Sequence, residues 1–188
     1  MQSRHYFFAV PIPSAIKNKL FEWCDEIKKD YPFKRWVHPE DYHITLAFLG
    51  NAEINQLNLA LNLMKESLIE ISSFRLQINH IGIFGRNETP RIFWAGVHES
   101  NELNKLRVNV YEKCIQSGFQ LDEKPFRPHI TLARKWEQSF GAFSLSSLQE
   151  KFIKMEEFNI EEVVLYETVL EAVPKYQKKQ AYIWVTNR

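Results

Sequence analysis

Residues 43–46 read His-Ile-Thr-Leu, and residues 129–132 repeat the same four letters. A given tetrapeptide occurs by chance in few chains of this length, so two copies indicate a duplicated structural unit. Residues two apart in a β-strand share a face. Each copy is therefore predicted to be a strand that presents its histidine and its threonine on one face. The opposite face is predicted to be apolar and to carry Ile44, Leu46, Phe48, Ile130 and Leu132.

Two such polar faces that meet across a cleft would suit phosphodiester chemistry. One neutral imidazole can accept a proton from water while a second, protonated imidazole gives a proton to the leaving oxygen. The ordinary histidine pKa of about 6.5 lies near working pH for both tasks. His43 and His129 are therefore the predicted catalytic pair. The hydroxyls of Thr45 and Thr131 are predicted to hydrogen-bond the non-bridging phosphate oxygens.

A guanidinium close to the phosphate would stabilise the charge on its oxygens. Arg127 and Arg134 flank the second copy and are the predicted cationic contacts. Arg134 lies five residues beyond His129, so strand alternation places it on the opposite face unless a bulge or a strand end intervenes. The remaining histidines are interpreted as structural: His5, His38, His80 and His98.

The hydrophobic pattern alternates between period-two and period-3.6 segments. The order is strand, helix, strand, helix, then strands, and it runs roughly twice along the chain. The two tetrapeptides occupy equivalent places in these two passes. This order predicts an α+β fold of two pseudo-symmetric lobes of antiparallel sheet flanked by helices, with the two His-x-Thr-x strands in a central cleft. Residues 1–188 are interpreted as one bilobal domain.

The bulk properties narrow the class of protein. The chain has 188 residues and a formal net charge of +1, so no global charge draws it onto long nucleic acid. Its first apolar run is short and interrupted by prolines, which argues against a signal peptide or a membrane span. Cys24 and Cys114 both lie in amphipathic helical segments and are expected to be reduced, as in a cytoplasmic protein. A monomer is expected, since nothing in the sequence requires a dimer.

Several other enzyme classes lack their motifs in this chain. There is no Lys-centred adenylation motif, no P-loop and no dinucleotide fingerprint, and no His-x-His or His-Glu-x-x-His run that would suit a metallohydrolase. No cofactor and no metal are therefore expected. Two alternatives remain open, because they use the same residues or none. One is ATP-independent ligation or cleavage of 2′-5′ RNA linkages, and the other is binding of RNA ends without catalysis.

At these residues the chain resembles the 2H phosphoesterase superfamily, and more narrowly the RNA 2′,3′-cyclic phosphodiesterases, also called 2′-5′ RNA ligases. The resemblance covers nearly the whole chain. Thr168 stands where a serine is expected, which keeps a hydroxyl. The segments that carry the resemblance are residues 6–13, 36–50, 90–97, 126–134 and 164–168.

The resemblance implies hydrolysis of a 2′,3′-cyclic phosphate at an RNA 3′ end to a 2′-phosphomonoester, without a metal. It implies that His43 donates a proton to the departing 3′ oxygen and that His129 accepts one from water, although the residues themselves do not distinguish these roles. The expected partners are RNA 3′ ends or small nucleotides that carry the cyclic phosphate. Aromatic side chains are candidates for stacking on a nucleobase, with Trp36 and Tyr166 favoured over the others, Phe7, Phe8 and Tyr176.

Overall fold

A computed structural model describes residues 4–69, 71–152, 155 and 157–184 of the chain. Nine strands and four α-helices follow one another along this part of the sequence. In chain order they are β1 (His5–Pro11), α1 (Ser14–Ile27), β2 (Phe33–Trp36), β3 (His43–Asn51), α2 (Ile54–Ser67), β4 (Phe74–Gly85), β5 (Pro90–Val97), α3 (Asn101–Gln116), β6 (His129–Trp136), α4 (Leu145–Glu150), β7 (Glu157–Ile160), β8 (Glu162–Thr168) and β9 (Tyr176–Ile183).

The strands follow the order β7-β4-β5-β6-β3-β1-β8-β9, with β2 on β6, and the neighbouring strands are antiparallel. The two halves of this array meet between β3 and β6, the strands that begin at His43 and His129. They pair only at Ile44 and Ile130. Farther along β6, β2 takes the edge instead, so the two motif strands diverge and leave a cleft. The predicted α+β fold of two similar lobes is confirmed.

Helices α1 and α3 each cover the sheet half to which the preceding strand does not belong. Helix α1 follows β1, yet its Trp23 ring lies 6.0 Å from the Phe93 ring of β5. Helix α3 follows β5, yet it packs on β3 and on α2. The apolar residues of α1 recur at helical spacing and are buried: Ile16, Leu20, Trp23, Cys24 and Ile27. Because each of these two helices packs on the opposite half of the sheet, separating the halves would expose the core. The two helices therefore hold the two sides of the cleft together.

Each motif strand contains a bulge one residue after its threonine. In β3, Thr45 pairs with Ala9 while residue 47 pairs with residue 8, which leaves Leu46 without a partner. In β6, Thr131 pairs with Trp94 while residue 133 pairs with residue 93, which leaves Leu132 without a partner on β5. An extra residue reverses the alternation of side chains beyond it. The fifth residue after each histidine therefore returns to the face of the histidine.

This reversal changes two of the sequence predictions. Phe48 was predicted on the apolar face, but this is wrong, since its side chain is 56% exposed and lines the same cavity as His43. Arg134 was predicted to lie on the face opposite His129 unless a bulge intervened, and the bulge is present. Phe48 and Arg134 are thus equivalent positions of the two motifs.

Candidate active site

Both motif strands open into one cavity of about 180 Å³. His43 and Thr45 enter it from β3, and His129, Thr131 and Arg134 enter it from β6. The structure therefore brings together the four motif side chains and one of the two predicted arginines. The remaining wall of the cavity is formed by Phe7, Val37, Asp41, Phe48, Ile92, Thr168 and Tyr176.

The two imidazoles are held in the same way. The Nδ1 atom of His43 lies 2.7 Å from the carbonyl oxygen of Asp41, and the Nδ1 atom of His129 lies 2.7 Å from the carbonyl oxygen of Arg127. A carbonyl oxygen only accepts hydrogen bonds, so each Nδ1 carries the proton and donates it. Each Nε2 therefore keeps its lone pair, and in His43 this atom lies 3.0 Å from Oγ1 of Thr45.

Burial lowers the pKa of both histidines below the ordinary value. The pKa of His43 falls to about 4, chiefly through desolvation, and the charges of His129 and Arg134 add to the effect. The pKa of His129 is also lowered, first by burial and further by Arg134. At neutral pH both imidazoles of the free protein are accordingly uncharged. The cavity then offers two Nε2 acceptors beside one guanidinium.

Arg134 is the cation of this cavity. Tyr176 lines the cavity with it, and burial raises the pKa of the Tyr176 phenol while Arg134 opposes the rise. Within the described part of the chain, no carboxylate forms an ion pair with Arg134. Its positive charge is left for an anion that enters the cavity.

Asp41 is a site residue that the sequence analysis missed. Its side chain is buried, at 6% exposure. One carboxylate oxygen accepts the backbone N–H of Lys175 and the other accepts that of Tyr176, each at 3.0 Å. Asp41 therefore joins the segment before β9 to the strand of His43. Its signal in the sequence is only its place two residues before the histidine, where Arg127 stands in the second motif.

Arg127 does not reach this cavity. Its side chain is exposed and lines a neighbouring groove, while its carbonyl oxygen orients His129. The structure therefore places the Arg127 side chain beside the catalytic cavity and not in it.

The favoured aromatic residues lie elsewhere than the sequence predicted. Trp36 packs edge-on against Phe33 and Phe93, with ring centroids 5.7 and 6.4 Å away, and it is not among the residues that line the cavity. Tyr166 is 5% exposed and stacks behind Phe7 at 5.3 Å, which leaves no open face for a base.

The other aromatic candidates divide between the core and the cavity. Phe8 is 0% exposed, so its predicted contact with substrate is wrong. Phe7 and Tyr176 line the cavity, with ring centroids 4.8 and 5.1 Å from that of His43. Strand alternation distinguishes Phe7 from Phe8, whereas Tyr176 arrives through the tertiary contact with Asp41.

Two features of other classes of protein are absent from the described residues. No group of three or more His, Cys, Asp or Glu side chains there is arranged to hold a metal ion. No helix in that part of the chain is long and apolar enough to cross a membrane.

The duplicated motif, the bulged strands and the shared cavity define a phosphoesterase of the two-histidine class. Residues 10–94 and 96–176 match the family described as LigT like Phosphoesterase, and the chain belongs to this family. The predicted resemblance is confirmed.

Curated relatives and solved structures agree with this family. The chain is 41% identical over 182 residues to the RNA 2′,3′-cyclic phosphodiesterase of Geobacillus stearothermophilus, an alignment that covers 97% of this chain and 58% of that relative. The chain thus spans less than two thirds of that protein's length. It is 35% identical over 179 residues to the enzyme of the same name from Bacillus subtilis, which covers 93% of each.

Solved structures show the same fold at lower identity. The crystal structure of E. coli LigT complexed with 3′-AMP has a TM-score of 0.79 at 21% identity and covers 97% of this chain and 99% of that one. The crystal structure of TT0787 of Thermus thermophilus has a TM-score of 0.76 at 23% identity and covers 98% and 100%.

Proposed function

We propose that the protein hydrolyses 2′,3′-cyclic phosphate ends of RNA to 2′-phosphomonoesters by acid–base catalysis with two histidines and no metal. The observation that supports this most is the matched pair of Nδ1 anchors, because they leave both Nε2 atoms unprotonated in one cavity. The names of the Geobacillus and Bacillus relatives support the same substrate.

His129 takes the role of base and His43 that of acid, as the family resemblance implies. Nε2 of His129 accepts a proton from water, whose oxygen forms a bond to phosphorus. The bond between phosphorus and the 3′ oxygen breaks, and that oxygen takes the proton carried by Nε2 of His43. The phosphate remains on the 2′ oxygen, so atoms and charges balance.

The acid must gain its proton before the reaction. The pKa of His43 in the free protein is about 4, so most molecules hold it neutral at pH 7. A phosphodiester brings a negative charge into the cavity, and an opposite charge nearby favours the protonated imidazole. Binding of the substrate therefore raises the pKa of His43 and supplies the protonated form.

Thr45, Thr131 and Arg134 bind the non-bridging phosphate oxygens. Each threonine hydroxyl can donate one hydrogen bond, and the guanidinium can donate two in its planar fork. Charge that develops on these oxygens in the transition state is stabilised by donors already in place. Phe48 lines the same cavity and offers an exposed ring.

A short RNA that ends in a 2′,3′-cyclic phosphate tests the proposal. The protein is incubated with it in the presence of EDTA, and the 2′- and 3′-phosphate products are separated. Conversion to the 2′-phosphate alone is expected. A 3′-phosphate product, or no product from folded protein, would refute the proposal, and an RNA with a 2′-5′ linkage would be the next substrate to measure.

A further inference from the structure

A second, larger cavity adjoins the catalytic one. We call it the side groove; it has a volume of about 860 Å³ and shares Thr45, Phe48, Ile92 and His129 with the catalytic cavity. A ligand can therefore pass from one to the other without leaving the protein surface. Its far wall comes from α3 and from the segment before β6, with Arg107, Tyr111, Lys124, Phe126 and Arg127.

The two cavities differ in size, and each suits a different part of the substrate. Pockets for organic ligands range from about 300 to 1,000 Å³. The catalytic cavity, at about 180 Å³, is below this range and suits a phosphate with the ribose edge attached to it. The side groove lies well within the range, so it has room for nucleoside parts of the substrate that the catalytic cavity cannot hold.

The charge of the side groove is positive. Arg91, Arg107 and Arg127 line it, and within the described part of the chain none of the three forms an ion pair with a carboxylate. Asp122 also lines it, but Lys124 pairs with that carboxylate at 2.7 Å. The groove therefore offers unneutralised guanidinium groups to an anion, although the net charge of the whole chain is only +1.

The guanidinium of Arg107 lies against two aromatic rings of the groove. Its Cζ atom lies 3.8 Å from the ring centroid of Tyr111 and 5.6 Å from that of Phe126. Among the described residues its Nε atom is buried without a hydrogen-bond partner. A guanidinium stacked on a ring is held in one plane. Such a plane can stack on a base, and its edge can donate to a phosphate.

We propose that the side groove binds the single-stranded RNA segment on the 5′ side of the cyclic phosphate, which makes oligoribonucleotide ends the preferred substrate class over mononucleoside cyclic phosphates. This inference rests on the proposed function. The alternation of cations and aromatic faces is the chemistry by which proteins hold single strands: cations follow the phosphates and rings stack on the bases.

The test compares two substrates with the same terminal nucleotide. One is a mononucleoside 2′,3′-cyclic phosphate, and the other is a hexaribonucleotide that ends in the same cyclic phosphate. One additional stacked base corresponds to about fivefold or more in affinity, so kcat/KM is expected to be at least about fivefold higher for the hexanucleotide. The advantage should decrease as salt concentration rises, because phosphate contacts release counterions.

Two groove variants and one control make the comparison specific. Arg107→Ala and Arg91→Ala are each expected to reduce the ratio of the two kcat/KM values several-fold and to flatten its salt dependence by roughly 0.7 in log–log slope for each phosphate that is no longer neutralised. Lys105→Ala removes a charge from the same helix as Arg107, but residue 105 is exposed and does not line the side groove. The ratio should be unchanged in this control. Arg91 is exposed, so its variant still decides the matter if Arg107→Ala fails to fold.

A binding measurement separates failure of this inference from failure of the proposed function. Fluorescence anisotropy reports the affinity for a labelled hexaribonucleotide with a plain 3′ hydroxyl, which needs no turnover. Equal kcat/KM for both substrates in the wild type, or an unchanged ratio in both groove variants, would overturn the inference. If neither substrate is hydrolysed, the proposed function fails; affinity that still depends on Arg107 would then support the groove alone, and affinity that does not would overturn it too.

Discussion

His43 and His129 begin strands of identical sequence, and the backbone treats them alike, but their surroundings differ. Beside His43 lie the aromatic rings of Phe7 and Tyr166, which are buried, and of Tyr176, which is partly buried. Against His129 lie Phe84 and Trp94, at 4.8 and 6.1 Å between ring centroids, and the side groove opens beside it. The fifth residue after each histidine also differs between the two motifs. It is Phe48, with an exposed phenyl ring, in the first motif and Arg134, with a guanidinium, in the second.

This difference shows how a duplicated motif acquires two roles. The tetrapeptide, its bulge and its Nδ1 anchor give each imidazole the same backbone hydrogen bond, 2.7 Å from Nδ1 to a carbonyl oxygen two residues earlier. Neighbours from other strands then decide how much water and charge each imidazole meets, and these conditions determine its pKa. Four predictions test whether the backbone orients both imidazoles alike while the neighbouring residues determine their different roles.

The largest effect is expected from removal of either imidazole. His43→Ala and His129→Ala should each lower kcat by about 10²- to 10⁴-fold on a 2′,3′-cyclic phosphate RNA, because each removes one half of the proton transfer. Steady-state kinetics measures this, with circular dichroism as the check of folding. His98→Ala, at an exposed histidine, is the matched control and should retain activity. If either motif variant retained wild-type activity, the acid–base pair would be wrong.

The next effect tests the fifth positions against each other. Arg134→Gln should lower kcat/KM by about a hundredfold, since a donor that stabilises developing charge is removed. Phe48→Leu removes an aromatic face and should lower it only about fivefold. Lys135→Gln removes a positive charge from the adjacent exposed residue and should have little effect. Equal reductions in the Arg134 and Phe48 variants would mean that the two positions have the same role.

The pH dependence compares the two histidines directly. His129 must be neutral, so kcat/KM falls as pH drops below its lowered pKa; His43 must be protonated, so kcat/KM falls as pH rises above about 4. Both limbs of the pH profile therefore lie below the ordinary histidine pKa of about 6.5. At pH values above both limbs, kcat/KM should fall about tenfold per pH unit. A pH series of kcat/KM measures these macroscopic values. A flat profile, or an optimum above pH 7, would contradict the lowered pKa values.

The smallest effect concerns Asp41, which positions His43 and Tyr176. Asp41→Asn keeps the size but places an amide donor opposite a backbone N–H, which leaves a buried donor unsatisfied. We expect kcat to fall about tenfold with little change in KM, and thermal unfolding shows whether the effect is local. Glu40→Gln makes the same charge change at the exposed neighbour that pairs with Lys17. If Glu40→Gln lowered kcat by the same factor, Asp41 would have no special role in positioning His43 and Tyr176.

Much of the fold and of the site was predictable from local patterns. Alternation placed His43 beside Thr45 and His129 beside Thr131, because side chains of a strand repeat with period two whatever the strand packs against. The repetition of the tetrapeptide predicted two similar lobes. The strand Phe33–Trp36 was missed because four residues are too few to show alternation.

Tertiary structure decided the rest. Leu46 and Leu132 give no local sign of a bulge, since a bulge results from the register of two paired strands, and that register brought Phe48 and Arg134 into the cavity. Asp41 and Tyr176 are 135 residues apart in sequence and meet only when β9 joins the sheet. The pKa of each histidine likewise depends on burial by distant strands. The short motifs of the sequence determine the chemistry of the site, whereas its completion depends on contacts between segments far apart in the chain.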